Sequence, residues 1–169
     1  MKNTNNLPKY LYHATSMSNL IAILKEKILI PKGKRINGYV EDTVSFLDIL
    51  NDYMVFYGDI IIEFFGKNLI RKNSIYPHDY GLKETDPGFY DMPFWEAEWK
   101  GKEIKFEYED INKIYFLEPP LLSIVNILLD NKIKFEIISE KDLPRFSEEY
   151  YIMKYKERIN RYKCAVASK

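Results

Sequence analysis

The chain has 169 residues, of which 46% are hydrophobic and 15% aromatic, and its 25 basic residues balance 25 acidic ones. This composition excludes an intrinsically disordered chain, since such chains hold too few apolar residues to form a core. The even charge balance excludes a global positive field that would draw the protein onto nucleic acid, so any such contact needs a local patch. No apolar run is long enough to cross a bilayer, and we expect one soluble domain over residues 1–169.

Cysteine and histidine usage limits the covalent and metal chemistry. Cys164 is the single cysteine, so an internal disulfide or a cysteine-built zinc site is excluded. His13 and His78 do not stand in a zinc-binding spacing, and a metal-dependent mechanism is not expected. Residues 1–6 are polar and lack the apolar core of a signal peptide, which predicts a cytoplasmic location.

Residues 11–24 predict a short strand that is followed at once by a helix. His13 and Thr15 share one face of the strand, because alternate residues of a strand point the same way. Ser16 or Ser18 can cap the helix, whose first N–H groups attract anions and polar ligands. The pattern therefore predicts a ligand-binding corner. The alternative is structural, with His13 a core histidine bonded to a backbone carbonyl and Thr15 an ordinary strand residue.

The middle of the chain alternates strands with a long punctuated segment. Residues 43–48 predict a strand, residues 51–53 a short helix or turn, and residues 56–64 a strong strand. Residues 66–93 are dense in glycine and proline and predict a loop, a candidate for substrate recognition whose aromatic side chains suit base stacking. The alternative is that these aromatic residues fold the loop onto the core.

A second motif with chemical potential lies at residues 94–100. As a strand, this segment places Glu96 and Glu98 on one face and Trp95 and Trp99 on the other. Two adjacent carboxylates repel each other, so one of them holds its proton more tightly. The alternative is an exposed strand face with solvated acids.

The remaining segments complete an α+β pattern. The sequence predicts a strand over residues 113–117, a helix over 121–129, a strand over 132–138 and a charged helix over 147–163, with a further short strand from Ile104 to Tyr108. Strands recur with few helices between them, which favours helices set against twisted sheets. A glycine-rich dinucleotide fingerprint is absent from the sequence, and this disfavours a dehydrogenase.

The first motif reads in full Tyr12-His13-x-Thr15-x-x-x-Asn19-Leu20-x-x-Ile23-Leu24. It resembles the opening of the ADP-ribosyltransferases, and most of all the DarT-like toxins that modify DNA. The Glu-x-Glu of the second motif resembles the pattern that these enzymes carry near the end of their core. The resemblance implies an ADP-ribosyltransferase-like split two-sheet β core with flanking helices, whose cleft holds NAD as a substrate.

The resemblance also implies roles for individual residues. His13 and Thr15 would bind NAD, with Asn19 near its nicotinamide end, and Arg35 would reach its phosphates unless it is simply a solvated surface residue. Glu98 would be the catalytic carboxylate, and Glu96 would position the acceptor or take its proton. The residues available to flank the nicotinamide ring are Ser45 and Tyr57, with Tyr53 as a competitor.

The function that this resemblance implies is transfer of ADP-ribose from NAD to a macromolecular acceptor, a nucleic acid base in preference to a protein side chain. A role in toxin–antitoxin or phage conflict follows, with an antitoxin as a partner and no membrane. One alternative is an inactive binding module or inhibitor with the same fold. Another is an RNA 2′-phosphotransferase. It is disfavoured because those enzymes use several arginines around the cleft, whereas Arg35 and Arg71 are the only arginines before Arg145 in this sequence.

Overall fold

The structure is a computed structural model that describes residues 7–31, 33, 35–36, 39–40, 43–77, 98–147, 149–150, 153 and 157. At residues 35, 36, 39, 40, 77 and 98 the description covers the backbone and not the side chain. Glu96, His78 and the rest of the 66–93 segment after Pro77 lie outside it.

One seven-stranded sheet dominates the described part of the chain. Its strands, in their order across the sheet, are β11 (Phe135–Ile137), β10 (Ile111–Phe116), β6 (Ile60–Phe65), β1 (Tyr10–Thr15), β5 (Val44–Leu47), β8 (Glu98–Gly101) and β7 (Tyr76–Pro77). Two small sheets pair β2 (Ile28–Leu29) with β9 (Ile104–Lys105) and β3 (Arg35–Ile36) with β4 (Tyr39–Val40). The described helices are α1 (Met17–Glu26), α2 (Gly66–Lys72) and α3 (Leu122–Asp130). The predicted α+β class is therefore confirmed.

The strand β1 lies in the middle of the large sheet and is joined unequally to its two neighbours. It pairs antiparallel with β6 along its whole length, from Tyr10 opposite Phe65 to Thr15 opposite Ile60. Its pairing with β5 is limited to Tyr12 opposite Leu47. The strand β1 is therefore paired along its whole length with β6 but at a single position with β5.

Each face of the sheet carries its own apolar cluster. The face that we call the helix face packs against α1, α2 and α3 through buried leucines and isoleucines: Leu20, Leu24, Leu69, Ile124 and Leu128. On the other side, which we call the opposite face, Tyr12 and Leu47 pack with Leu143 and with Met54, which belongs to a 3-10 helix. Leu11 belongs to the helix-face cluster, and by strand alternation His13 shares its side of β1.

Most predicted segments are confirmed, with shifted ends. The strand and helix of the first motif, the strand at 43–48, the turn at 51–53, the strand at 113–117 and the helix at 121–129 correspond to described elements. The strand predicted over 132–138 is shorter, since β11 covers Phe135–Ile137. Helical residues are also described within the predicted tail helix, at 149–150, 153 and 157.

Three segments differ from the prediction. The 66–93 loop begins with α2, a helix held to the core by the buried side chain of Leu69. The strand predicted from residue 56 begins instead at Ile60, because Asp52–Phe56 forms a 3-10 helix whose N-terminus is capped by the side chain of Asn51. The strand predicted from Ile104 to Tyr108 is only two residues long and pairs with β2.

Candidate active site

His13 joins β1 to β5 just beyond their single backbone pair. Its Nδ1 donates a hydrogen bond to the main-chain oxygen of Ser45, at 3.0 Å. The ring also packs on Phe46, with 5.6 Å between the ring centroids. Since a carbonyl oxygen only accepts, Nδ1 carries a proton, and Nε2 is the acceptor when the ring is neutral. The carbonyl bond matches the structural alternative for His13, but the side chain is half-buried and not enclosed in the core.

Thr15 ends β1 at a point of close backbone contact. Its side chain is buried, at 3% exposure, so the side chain of His13 is the more accessible of the two. Gly58 lies against it: a Cβ on Gly58 would stand 2.5 Å from the carbonyl carbon of Thr15 and nearer still to its oxygen. Only glycine fits there without a shift of the backbone. The neighbouring Tyr57 lies in the turn before β6 and is 50% exposed.

The N-terminus of α1 is capped by an aspartate that the sequence analysis did not single out. Ser16 stands at the N-cap position, but its hydroxyl bonds the side chains of Asn19 and Ser18 rather than a backbone N–H. The N–H of Met17 donates instead to Oδ1 of Asp59, at 3.2 Å and 42 residues away in sequence. Ser16 therefore occupies the predicted N-cap position, but its side chain does not make the cap hydrogen bond.

This carboxylate also changes the electrostatics that the sequence suggests. A helix N-terminus stabilises an anion, and at α1 the chain supplies that anion itself through Asp59. Asn19 lies in the first turn, half-buried, with its Nδ2 donating to Ser16 Oγ at 2.8 Å. The polar groups at this corner are thus held in a local network of hydrogen bonds.

The second motif lies two strands from the first. Glu98 opens β8 and stands opposite Leu47 of β5, which in turn stands opposite Tyr12 of β1, so the strand register places residue 98 on the side of Tyr12 and not on the side of His13. At the usual strand spacing this places the backbones of β1 and β8 roughly 10 Å apart. Trp99 fixes the start of β8, because its indole N–H donates to Asp48 Oδ2 at 3.0 Å. The side chains of Glu98 and Arg35, and the whole of Glu96, lie outside the described residues.

A buried carboxylate occupies the opposite face, directly across from Tyr12 of the first motif in the pairing of β1 with β6. Glu63 of β6 is 4% exposed and accepts hydrogen bonds from Asn112 Nδ2 and from the Tyr115 hydroxyl, the latter at 3.1 Å. Burial, and then the charge of Glu63, raise the pKa of Tyr12 and of Tyr115 above the ordinary tyrosine range. The sequence signal that could have identified Glu63 is its position as the one acidic residue inside the apolar run of residues 60–65.

Two further features are absent from the described part of the chain. Among the described residues, no group of three or more His, Cys, Asp or Glu side chains is arranged to bind a metal ion. None of the described helices has the length and apolar character needed to span a bilayer.

Comparison with known proteins gives a similarity of fold. No family model matches the sequence, and no curated protein matches it either. Among solved structures, the chain resembles Thermus sp. 2.9 DarT in complex with NAD+, with a TM-score of 0.51 and 12% identity. The match covers 79% of this chain and 96% of the DarT chain. The chain therefore has a fold that is distantly similar to that of DarT.

Proposed function

We propose that residues 1–169 form one ADP-ribosyltransferase-like domain that transfers ADP-ribose from NAD to a macromolecular acceptor. The fold similarity to a DarT solved with NAD+ supports this function. The observation that carries it is the bond between His13 Nδ1 and the Ser45 carbonyl, because it fixes an imidazole at the narrow junction of two central strands.

The described residues fit a nucleotide with ribose hydroxyls. With Nδ1 held by Ser45, the Nε2 of a neutral His13 has the chemistry to accept a hydrogen bond from a ribose hydroxyl. Tyr57, half exposed beside the end of β1, has an aromatic face of the kind that packs on a nicotinamide ring. In the proposal Thr15 and Asn19 complete this corner, and Arg35 pairs with the phosphates.

NAD would supply the ADP-ribosyl group, with nicotinamide as the leaving group. In the proposed reaction the bond between ribose C1′ and the nicotinamide nitrogen breaks, and nicotinamide leaves with the bonding electrons. In the proposal Glu98, which the strand register places on the other face of the sheet from His13, meets the same nucleotide across the narrow β1–β5 junction. There it holds the ribose 2′-hydroxyl and stabilises the positive charge that develops on the sugar. The acceptor forms a new bond to C1′ and gives its proton to Glu96.

The acceptor in this proposal is a nucleic acid base in preference to a protein side chain. The support is the first motif, which is most similar to that of the DNA-directed toxins. A cytoplasmic toxin that modifies DNA, held in check by an antitoxin or directed against phage, is the biological setting that fits this acceptor.

Nicotinamide release tests the proposal. The native protein is incubated with NAD, alone and with single-stranded DNA or cell extract, beside Glu98→Gln and the control Glu103→Gln. Glu103 is an exposed acid paired only with the exposed Lys105 among its described contacts. We expect release from the native protein and the control, and a rate about 100- to 1,000-fold lower in Glu98→Gln, as for loss of one electrostatic stabiliser.

Two results would contradict this assignment. The first is no nicotinamide release from the native protein with any acceptor, and the second is an undiminished rate in Glu98→Gln. A rise in Tm with NAD but no release would indicate the binding module. Release that depends on a 2′-phosphorylated RNA would indicate the phosphotransferase.

A further inference from the structure

An open groove of about 570 Å³ lies at one end of the large sheet. It is built where β10 and β11 end and β6 begins, with one wall from the 3-10 helix Asp52–Phe56. The described residues that line it are Val55, Gly58, Asp59, Leu117, Glu118, Ile137, Ile138, Ser139 and Glu140. The groove is thus a different site from the hydrogen bond between His13 and Ser45, although Gly58 and Asp59 lie near both.

The lining combines an apolar floor with negative charge. Val55, Leu117, Ile137 and Ile138 supply the apolar surface, and the side chain of Ile137 is exposed. Three of the described lining residues are acidic and none is basic. The chemistry that complements this groove is a segment with apolar and basic side chains and no acids.

Such a segment follows Glu157, the last described residue. Residues 158–169 hold Arg158, Arg161, Lys163 and Lys169 and no acidic residue. The apolar side chains among them are Ile159, Tyr162 and Val166, with three smaller residues at 164, 165 and 167. The composition of this segment, which we call the basic tail, is the complement of the groove lining.

The chain leaves the body of the fold beside the same groove. The N–H of Asp52 donates to the carbonyl of Pro144 at 3.0 Å, and Arg145 forms an ion pair with the Asp52 carboxylate at 3.3 Å. Asp52 begins the 3-10 helix that contributes Val55 to the groove. The twelve residues that follow Glu157 span up to about 40 Å when extended, and this sets the reach of the basic tail.

We infer that the basic tail docks in the groove of its own chain, with its basic side chains against Asp59, Glu118 and Glu140. Attachment to the same chain favours this occupant, because a short tether gives an effective concentration of about millimolar. The inference does not depend on the proposed enzymatic function.

The single cysteine allows a test on the full chain without any substitution. A nitroxide spin label is attached to Cys164 in the basic tail, and the backbone amide signals of the isotope-labelled protein are compared before and after reduction of the label. We expect selective loss of the Leu117, Ile137 and Ser139 amide signals while the label is active. The amides of Ile104 and Lys105, in the small sheet, are expected to keep theirs.

Charge reversal tests whether the acids of the groove, rather than the overall charge of the protein, hold the basic tail. Glu118→Lys together with Glu140→Lys should restore the groove signals, whereas the matched pair Glu109→Lys with Asp130→Lys, two exposed acids that do not line the groove, should not. Raising salt from 0.1 M to 1 M shortens the screening length from about 10 Å to about 3 Å and should also weaken the effect.

Four results would overturn the inference. They are no selective loss of signal, loss centred on another surface, loss that persists in the groove variant, and loss that also appears when labelled and isotope-enriched chains are mixed. The last result would assign the groove to a second copy of the chain. The amide spectrum of each variant reports directly whether it is folded.

Discussion

Tyr12 and His13 are neighbours on β1, yet they belong to two different kinds of polar environment. Tyr12 is 8% exposed on the opposite face, beside the buried carboxylate of Glu63. His13 is half-buried on the helix face and is bonded to a main-chain oxygen of the next strand. One strand thus carries a buried polar network on one side and, on the other, the histidine that we propose as a ligand-binding group.

The two environments differ in what holds them. A buried carboxylate is costly unless donors surround it, and Glu63 has donors from Asn112 and Tyr115 as well as Tyr12. These contacts link β1, β6 and β10, which are paired along most of their length, with one register shift between Ile111 and Lys113 of β10. The His13 bond instead spans a junction that has one backbone pair, so its loss disturbs fewer neighbours.

Removing the buried carboxylate should have the largest effect on stability. Glu63→Ala leaves the donors of Asn112, Tyr115 and Tyr12 without their acceptor, and we expect a loss of about 3 kcal/mol in the free energy of unfolding. Urea denaturation measures it. The exposed control Glu103→Ala should stay within about 0.5 kcal/mol of the native protein. Equal effects of the two changes would remove the distinction between the buried network and the surface.

Gly58→Ala tests the close contact at the end of β1. The added Cβ meets the backbone of Thr15, and the resulting shift should cost about 2 kcal/mol of unfolding free energy, as overpacking does. Gly33 is a useful contrast, since it has a φ of 62° and no atom within 4 Å of the added Cβ. Gly33→Ala should cost about 1 kcal/mol from backbone strain alone. Urea denaturation measures both variants. A larger loss of unfolding free energy in Gly33→Ala than in Gly58→Ala would contradict the account.

Two substitutions of His13 separate its structural bond from its proposed ligand contact. His13→Asn retains a side-chain N–H donor near the position of Nδ1 but has no counterpart of Nε2, while His13→Ala loses both. We expect about 1 kcal/mol of destabilisation in the alanine variant and less in the asparagine variant. Both should lose NAD affinity, measured by calorimetry. Native affinity in His13→Asn would remove Nε2 from the proposed site.

The tyrosines beside Glu63 predict a smaller, pH-dependent effect. Their pKa values are raised in the fold, mainly by burial, whereas in the unfolded chain a tyrosine ionises near pH 10. Their contribution to stability is therefore complete below about pH 10 and is lost as the pH rises further. Urea denaturation across this range should show a shallower decline for Tyr115→Phe than for the native protein. An unchanged slope would place Tyr115 outside the network.

Local patterns were enough to predict β1, α1 and α3, because strand alternation and helical spacing are written in consecutive residues. The fold class followed from the order of these segments. The helix α2 was missed because it is short and begins at a glycine, and its burial through Leu69 depends on packing with distant strands. The start of β6 was misplaced because the capping of the 3-10 helix by Asn51 competes with β propensity at residues 56–59.

The candidate site was predictable in part for the same reason. His13 was identified from its local motif, but its bond to Ser45 depends on how two distant strands meet. Asp59 and Gly58 escaped the sequence analysis, since a cap 42 residues away and a backbone contact carry no local pattern. The roles of Glu98, Glu96 and Arg35 stay predictions.

An NAD titration followed on the amide signals of the protein tests the central claim most directly. We predict saturable shifts at His13, Ser45 and Tyr57, with Glu63 and Tyr115 unaffected, because the nucleotide would lie at the narrow β1–β5 junction and not in the buried network between β6 and β10. Shifts confined to the Glu63 network, or no shift at millimolar NAD, would contradict the account.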